Sequence, residues 1–178
     1  MLKMDLSDDT IRFLECRYPD TQKILHNNRY KDLKEFPRHK YTNTYDHSVR
    51  VAVATAIIAK KFGVNIESAI KTALVHDMCF ANYYNQPLIS QGERHKGFYA
   101  YYHPIEAAEN ASKEFGLTDE EIKAIKAHMF PLAVHIPTSK LALALTLADK
   151  GIAIYEGLYR FRFVRQPMMV FGLKTISM

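Results

Sequence analysis

The sequence predicts an all-α protein, a single helical bundle-like domain. Three observations predict it. Apolar residues recur at three- and four-residue steps along most of the chain, as in Ile66, Ala69, Ile70, Ala73 and Leu74. Cap residues and breakers (Asn65, Thr118, Gly63, Gly116 and several prolines) fall at the ends of these periodic stretches. No segment carries an alternating pattern that reads clearly as a strand. At 178 residues and 48% hydrophobic content the chain can bury one sizeable core, so one domain is expected, with a helical extension over about 1–40, a core over about 41–155 and a tail over about 156–178.

In chain order, residues 8–16 and 21–36 read as short helices, with Pro19 between them and Pro37 after. A longer helix is expected from about 45 to 62, ending before Gly63, where a residue without Cβ can turn the chain. Asn65 can cap the next helix, 66–78. Residues 79–102 lose the helical period, are rich in Tyr, Asn, Gln and Gly, and read as a long loop. Order returns at His103-Pro104, where proline suits a first turn, and the helix runs to Phe115 before Gly116. Thr118 with Glu121 forms a capping-box pattern that opens a helix reaching about Met129. Thr138 or Ser139 opens the last helix, through Leu141, Leu145 and Ala148 to about Tyr159. The stretch from Tyr159 to Arg165 alternates aromatic and basic residues and reads either as the helix end or as extended chain.

Composition narrows the function classes. No apolar run approaches the roughly 18–20 residues of a membrane span, and the first ten residues are polar and acidic, so a cytoplasmic protein is expected. Cys16 and Cys79 form no CxxC pair, which leaves neither a disulfide framework nor a thiolate zinc site. The net charge of +5 sits towards the ends: residues 41–149 hold ten Lys/Arg against eleven Asp/Glu. A broad nucleic-acid footprint is therefore not expected. The aromatic and basic tail reads instead as packing on its own domain or on a subunit partner, which leaves a homo-oligomer open.

The chemistry concentrates in that near-neutral middle. Asp77 continues the apolar stripe of the 66–78 helix, next to His76, and Asp149 lies four residues after Leu145 on another such stripe. A desolvated carboxylate on a core-facing stripe is costly, and a bound cation is an effective partner. His47, His103 and His128 lie on or beside apolar faces of neighbouring helices. Imidazole with carboxylate suits Fe, Mn, Zn, Co or Ni. A lone buried histidine is more often a hydrogen-bonded core residue, and His26, His39 and His135 are read that way. The HExxH and ExxH patterns, the Walker loop and the GxSxG elbow are all absent.

The order and context of these residues resemble the HD-domain phosphohydrolases, a family defined by a histidine, a His-Asp doublet and a distant aspartate. His47 in Tyr45-Asp46-His47-Ser48-Val49-Arg50, the doublet in Leu74-Val75-His76-Asp77-Met78, and Asp149 in Leu147-Ala148-Asp149-Lys150 match that pattern. His103 and His128 stand where the two-metal branch has its second-site ligands. The resemblance covers about residues 40–155. It implies an all-helical, metal-dependent hydrolase of a phosphate ester or anhydride, holding one or two divalent ions and using a metal-activated hydroxide. His47, His76 and Asp149 would hold the first ion and His103 and His128 the second, with Asp77 between them. The doublet continues as Met78-Cys79-Phe80 where many relatives have Ile-Gly-Lys, and Met129 replaces a second histidine, so cyclic di-GMP cleavage is not expected.

Asp77, His76, Arg50 and Lys150 are the catalytic candidates. Arg50, one turn from His47, together with Arg94, Lys96, Tyr83 and Tyr84 are candidates for contacting a phosphorylated, nucleotide-like small molecule. For Lys96, and to a lesser degree Arg94, a surface charge is the simpler reading. The competing function is a regulatory protein that binds metal and nucleotide with little turnover.

Overall fold

A computed structural model describes residues 8–38, 42–80, 89–90, 93–94 and 99–160. Its elements are α1 (Asp8–Arg17), α2 (Pro19–His26), α3 (Asn28–Lys31), a 3₁₀ turn (Asp32–Glu35), β1 (Pro37–Arg38), β2 (Thr42–Asn43), α4 (Thr44–Phe62), α5 (Ile66–Val75), β3 (Ile89–Ser90), β4 (Glu93–Arg94), α6 (Tyr99–Phe115), α7 (Asp119–Ala127) and α8 (Lys140–Arg160). The chain is all-α, as the sequence predicts. The two antiparallel ladders, β1 with β2 and β3 with β4, hold two residues per strand and serve as loop closures. Among the described residues no helix is long and apolar enough to cross a membrane.

α4 is the central element, packed against α5 on one side and α8 on another, while α7 packs on α8 and α6. Val49, Ala52, Val53 and Ala56 of α4 meet a core that includes Ile70 and Leu74 of α5 and Leu141, Leu145 and Ile152 of α8. The small alanines let these helices approach closely. The N-terminal helices close one side of the core, where the buried Tyr30 hydroxyl donates to the Leu74 carbonyl at 2.9 Å.

The caps behave as the sequence chemistry requires. Asn43 accepts from the Asp46 N–H at 2.8 Å and opens α4; Asn65 accepts from Ser68 at 2.9 Å and opens α5. Gly63 ends α4 with φ of 68°, a left-handed conformation that costs a residue with Cβ about 1–2 kcal/mol. Thr118 and Glu121 cap each other at the start of α7.

Four boundaries differ from the sequence reading. The expected 21–36 helix breaks at Asn27, which is extended and whose side chain accepts from the Tyr30 N–H at 3.0 Å, starting a new helix. Pro19 opens α2 instead of merely separating two helices, because a first-turn residue needs no intrahelical N–H. α6 begins at Tyr99, so Pro104 lies inside it and His103 stands one turn in. α5 stops at Val75, which leaves His76 and Asp77 in the turn that follows.

Candidate metal centre

Six buried side chains converge where α4, the α5 end, α6, the α7 end and α8 meet: His47, His76, Asp77, His103, His128 and Asp149 are each no more than 1% exposed. The imidazoles are oriented by a repeated device. His76 and His128 each occupy the C-cap of a helix, with nearly identical backbone angles. There the last carbonyls of the helix have no intrahelical N–H partner. His76 Nδ1 lies 2.7 Å from the Ala73 carbonyl, and His128 Nδ1 lies 2.7 Å from the Ile125 carbonyl. His103, inside α6, places Nδ1 2.7 Å from the Tyr99 carbonyl, and its ring stacks on the Tyr99 ring with centroids 4.4 Å apart. A carbonyl only accepts, so in all three rings Nδ1 carries the proton. Where such a ring is neutral, its Nε2 lone pair is left facing inward.

Those lone pairs face carboxylates. Asp77 Oδ2 is 3.3 Å from His76 Nε2 and 3.9 Å from His47 Nε2, while Oδ1 is 3.3 Å from His103 Nε2 and 3.4 Å from His128 Nε2. Asp149 Oδ1 is 3.1 Å from His47 Nε2 and 3.7 Å from His76 Nε2. The Nε2 atoms of His103 and His128 approach to 3.1 Å. Donor atoms around one ion, at bonds near 2.1 Å, stand roughly 3.0–3.4 Å apart. Two groups, His47 with His76 and Asp149, and His76 with Asp77 and His128, could each hold an ion. His76 Nε2 makes no hydrogen bond among the described residues, although it is fully buried. Burial lowers its pKa to about 3, against the opposing pull of Asp149, so the ring stays neutral and its lone pair available. The donor set fits a divalent transition ion of borderline hardness.

The family model of the HD domain matches residues 44–153. The chain belongs to that family. No curated protein and no solved structure matches it. Membership in the HD family assigns the chain to a superfamily of metal-dependent hydrolases, and the His/Asp groups that could hold metal lie within the matched span.

Two other expected residues sit beside this HD centre in different settings. Lys150 is about one-third exposed, and its Nζ contacts Asp149 Oδ2 at 2.9 Å and the His128 carbonyl at 3.0 Å. Arg50 is buried, with Nη1 donating to Glu156 Oε1 at 2.9 Å and to Thr42 Oγ1 at 2.8 Å. Tyr83, Tyr84 and Lys96, and the side chain of Arg94, lie outside the described residues.

The sequence reading missed Glu156. It is 5% exposed and lies two turns after Asp149 on α8, with Oε2 2.9 Å from His47 Nδ1. The signal was present: Glu156 interrupts the buried run of Ile152 and Tyr155, as Asp77 interrupts its own stripe.

Proposed function

We propose that this protein hydrolyses a phosphate ester or anhydride of a small, nucleotide-like molecule, with one or two divalent ions held by His47, His76, Asp77, His103, His128 and Asp149. One observation carries the reading. Both oxygens of the buried Asp77 face imidazole Nε2 atoms, and at His76, His103 and His128 the ring proton is held on the far nitrogen by a backbone carbonyl. With those rings neutral, acceptors converge on acceptors in a desolvated site, an arrangement that a bound cation makes favourable. When bound, such ions supply Lewis acidity towards phosphoryl oxygens and lower the pKa of water.

The protein's own groups then have distinct tasks. Asp77 faces both halves of the cluster, one oxygen towards each, and so sets the spacing between them. Lys150 holds the outer oxygen of Asp149, which leaves Oδ1 aimed at His47 and His76. Its partly exposed ammonium is also the described cation best placed to meet an incoming phosphate as a point charge. Arg94, Lys96, Tyr83 and Tyr84 are the further candidates for substrate contact.

The test is metal analysis of protein purified without added ions, followed by phosphate release from a panel of nucleotides and phosphate esters with Mn, Fe, Co, Ni and Zn added in turn. Metal-dependent release that Asp77→Ala abolishes supports the assignment. Bound metal with no turnover across the panel would favour a regulatory binding protein instead.

A further inference from the structure

Three of the four imidazoles at the centre are oriented by a carbonyl of their own helix. His47 is not. It lies in the first turn of α4 (Thr44–Phe62). Its Nδ1 is met instead by Glu156 Oε2 at 2.9 Å, from α8, 109 residues away in the chain. The other carboxylate oxygen, Oε1, takes the Arg50 guanidinium at 2.9 Å, and the same Nη1 donates to Thr42 Oγ1 at 2.8 Å. Glu156 and Arg50 are each no more than 5% exposed, so the pair is desolvated and fixed.

His47 also faces a second carboxylate, with Asp149 Oδ1 3.1 Å from Nε2. When the ring carries one proton, as a metal ligand must, two carboxylates compete for it. If the proton sits on Nδ1, Nε2 offers its lone pair towards Asp149, as the other three rings do towards their carboxylates. If it sits on Nε2, the ring and Asp149 hydrogen-bond to each other and both are lost as donors to a metal.

We infer that Glu156 is the positioning residue that selects the metal-binding tautomer of His47, and that Arg50 acts as its anchor and not as a substrate clamp. The inference rests on the proposed metal centre, and Glu156 lies outside the residues matched to the HD family. A carboxylate or carbonyl behind a ligating histidine typically contributes 10–100-fold to metal affinity. The Arg50–Glu156 pair does the work at His47 that the Ala73, Ile125 and Tyr99 carbonyls do at the other rings.

The experiment uses the full chain, stripped of metal and titrated with Mn or Zn, as wild type, Glu156→Gln and Glu156→Ala. The ring-proton position of His47 is read in the metal-free proteins by long-range proton–nitrogen-15 NMR. Wild type is expected with the proton on Nδ1. Glu156→Ala is expected to move it to Nε2 and weaken metal binding by about 10–100-fold. Glu156→Gln retains an acceptor oxygen and is expected to fall between the two. Arg50→Lys, which keeps the charge but loses the fork, is expected to weaken metal binding while leaving KM for substrate unchanged at saturating metal. A purely structural role would lower the melting temperature of Glu156→Ala and leave the tautomer of the folded fraction as in wild type. If Glu156→Ala does not fold, the Gln variant carries the same comparison. Unchanged tautomer and affinity in a folded variant overturn the inference, and so does an Arg50→Lys variant that raises KM alone. Wild type that binds no divalent ion would instead overturn the metal centre itself.

Discussion

Replacing Asp77 by asparagine is expected to strengthen the metal-free protein and weaken the metal-loaded one. Asp77 is 1% exposed, so its charge is desolvated on every side. Its oxygens lie 3.3, 3.3 and 3.4 Å from Nε2 of His76, His103 and His128, rings whose proton is bound on the opposite nitrogen. With the rings neutral and no cation bound, these are contacts of acceptor with acceptor. Asparagine has nearly the same shape, carries no charge and brings two N–H donors to the lone pairs on one side, either that of His76 or those of His103 and His128. Relief of the desolvation and repulsion is worth about 1–2 kcal/mol, in line with other buried charges replaced by neutral groups. In a domain of this size that corresponds to a rise of about 2–8 °C in melting temperature.

The metal-loaded comparison runs the other way. An ion at a hundred times its dissociation constant stabilises the folded state by about 2.7 kcal/mol, or roughly 5–11 °C. Wild type should gain this and Asp77→Asn should gain little of it. The assay is thermal unfolding by circular dichroism, in chelator and in excess Mn or Zn, with metal content measured on the same samples. The two proteins should therefore change rank between conditions. A variant that melts below wild type in chelator would refute the acceptor-on-acceptor account. One that keeps the full metal-dependent shift would remove Asp77 from the ligand set.

Two further perturbations test the surroundings. His76 stays neutral in the fold down to about pH 3, whereas the unfolded chain takes up that proton near the ordinary value of 6.5. Between those values the unfolded state binds more protons, so His76 stabilises the metal-free fold fully above pH 6.5 and progressively less as pH falls. The slope is about 1.4 kcal/mol per pH unit, measurable by urea unfolding between pH 4.5 and 7, and His76→Asn should flatten it; an unaltered slope would sink the assignment. Thr118→Ala removes the side chain that accepts from the Glu121 N–H at the start of α7 and should cost about 1 kcal/mol, or roughly 2–4 °C, while metal affinity is retained; a loss of affinity would show that α7 is coupled to the centre more tightly than its cap implies.

The parts of the fold legible in the sequence were those governed by local rules. Asn65 and Thr118 act as caps because their side chains reach the N–H three residues on, and Gly63 ends α4 because glycine accepts φ of 68° cheaply. Asp77 and Asp149 were legible because a carboxylate on an apolar stripe breaks a pattern that sequence displays. Boundaries decided by tertiary contact were not legible. Nothing local forbids a helix through Asn27, and Pro104 gave a plausible start for α6 that five preceding helical residues overrule.

Arg50 shows how far a local rule carries. Its place one turn after His47 is correctly read as being on the same side of α4, and from that spacing a phosphate contact is the natural assignment. What the spacing cannot contain is the partner on α8. Glu156 joins His47 and Arg50 across separations of 109 and 106 residues, and the two contacts exist only once α4 and α8 have packed. The consequence is physical. His76, His103 and His128 receive their orientation from backbone carbonyls of their own helices, so it forms with local structure, whereas that of His47 depends on the α4–α8 interface. A perturbation that loosens that interface, without touching any of the six converging side chains, should therefore degrade the His47 side of the centre first and leave the His103–His128 side in place.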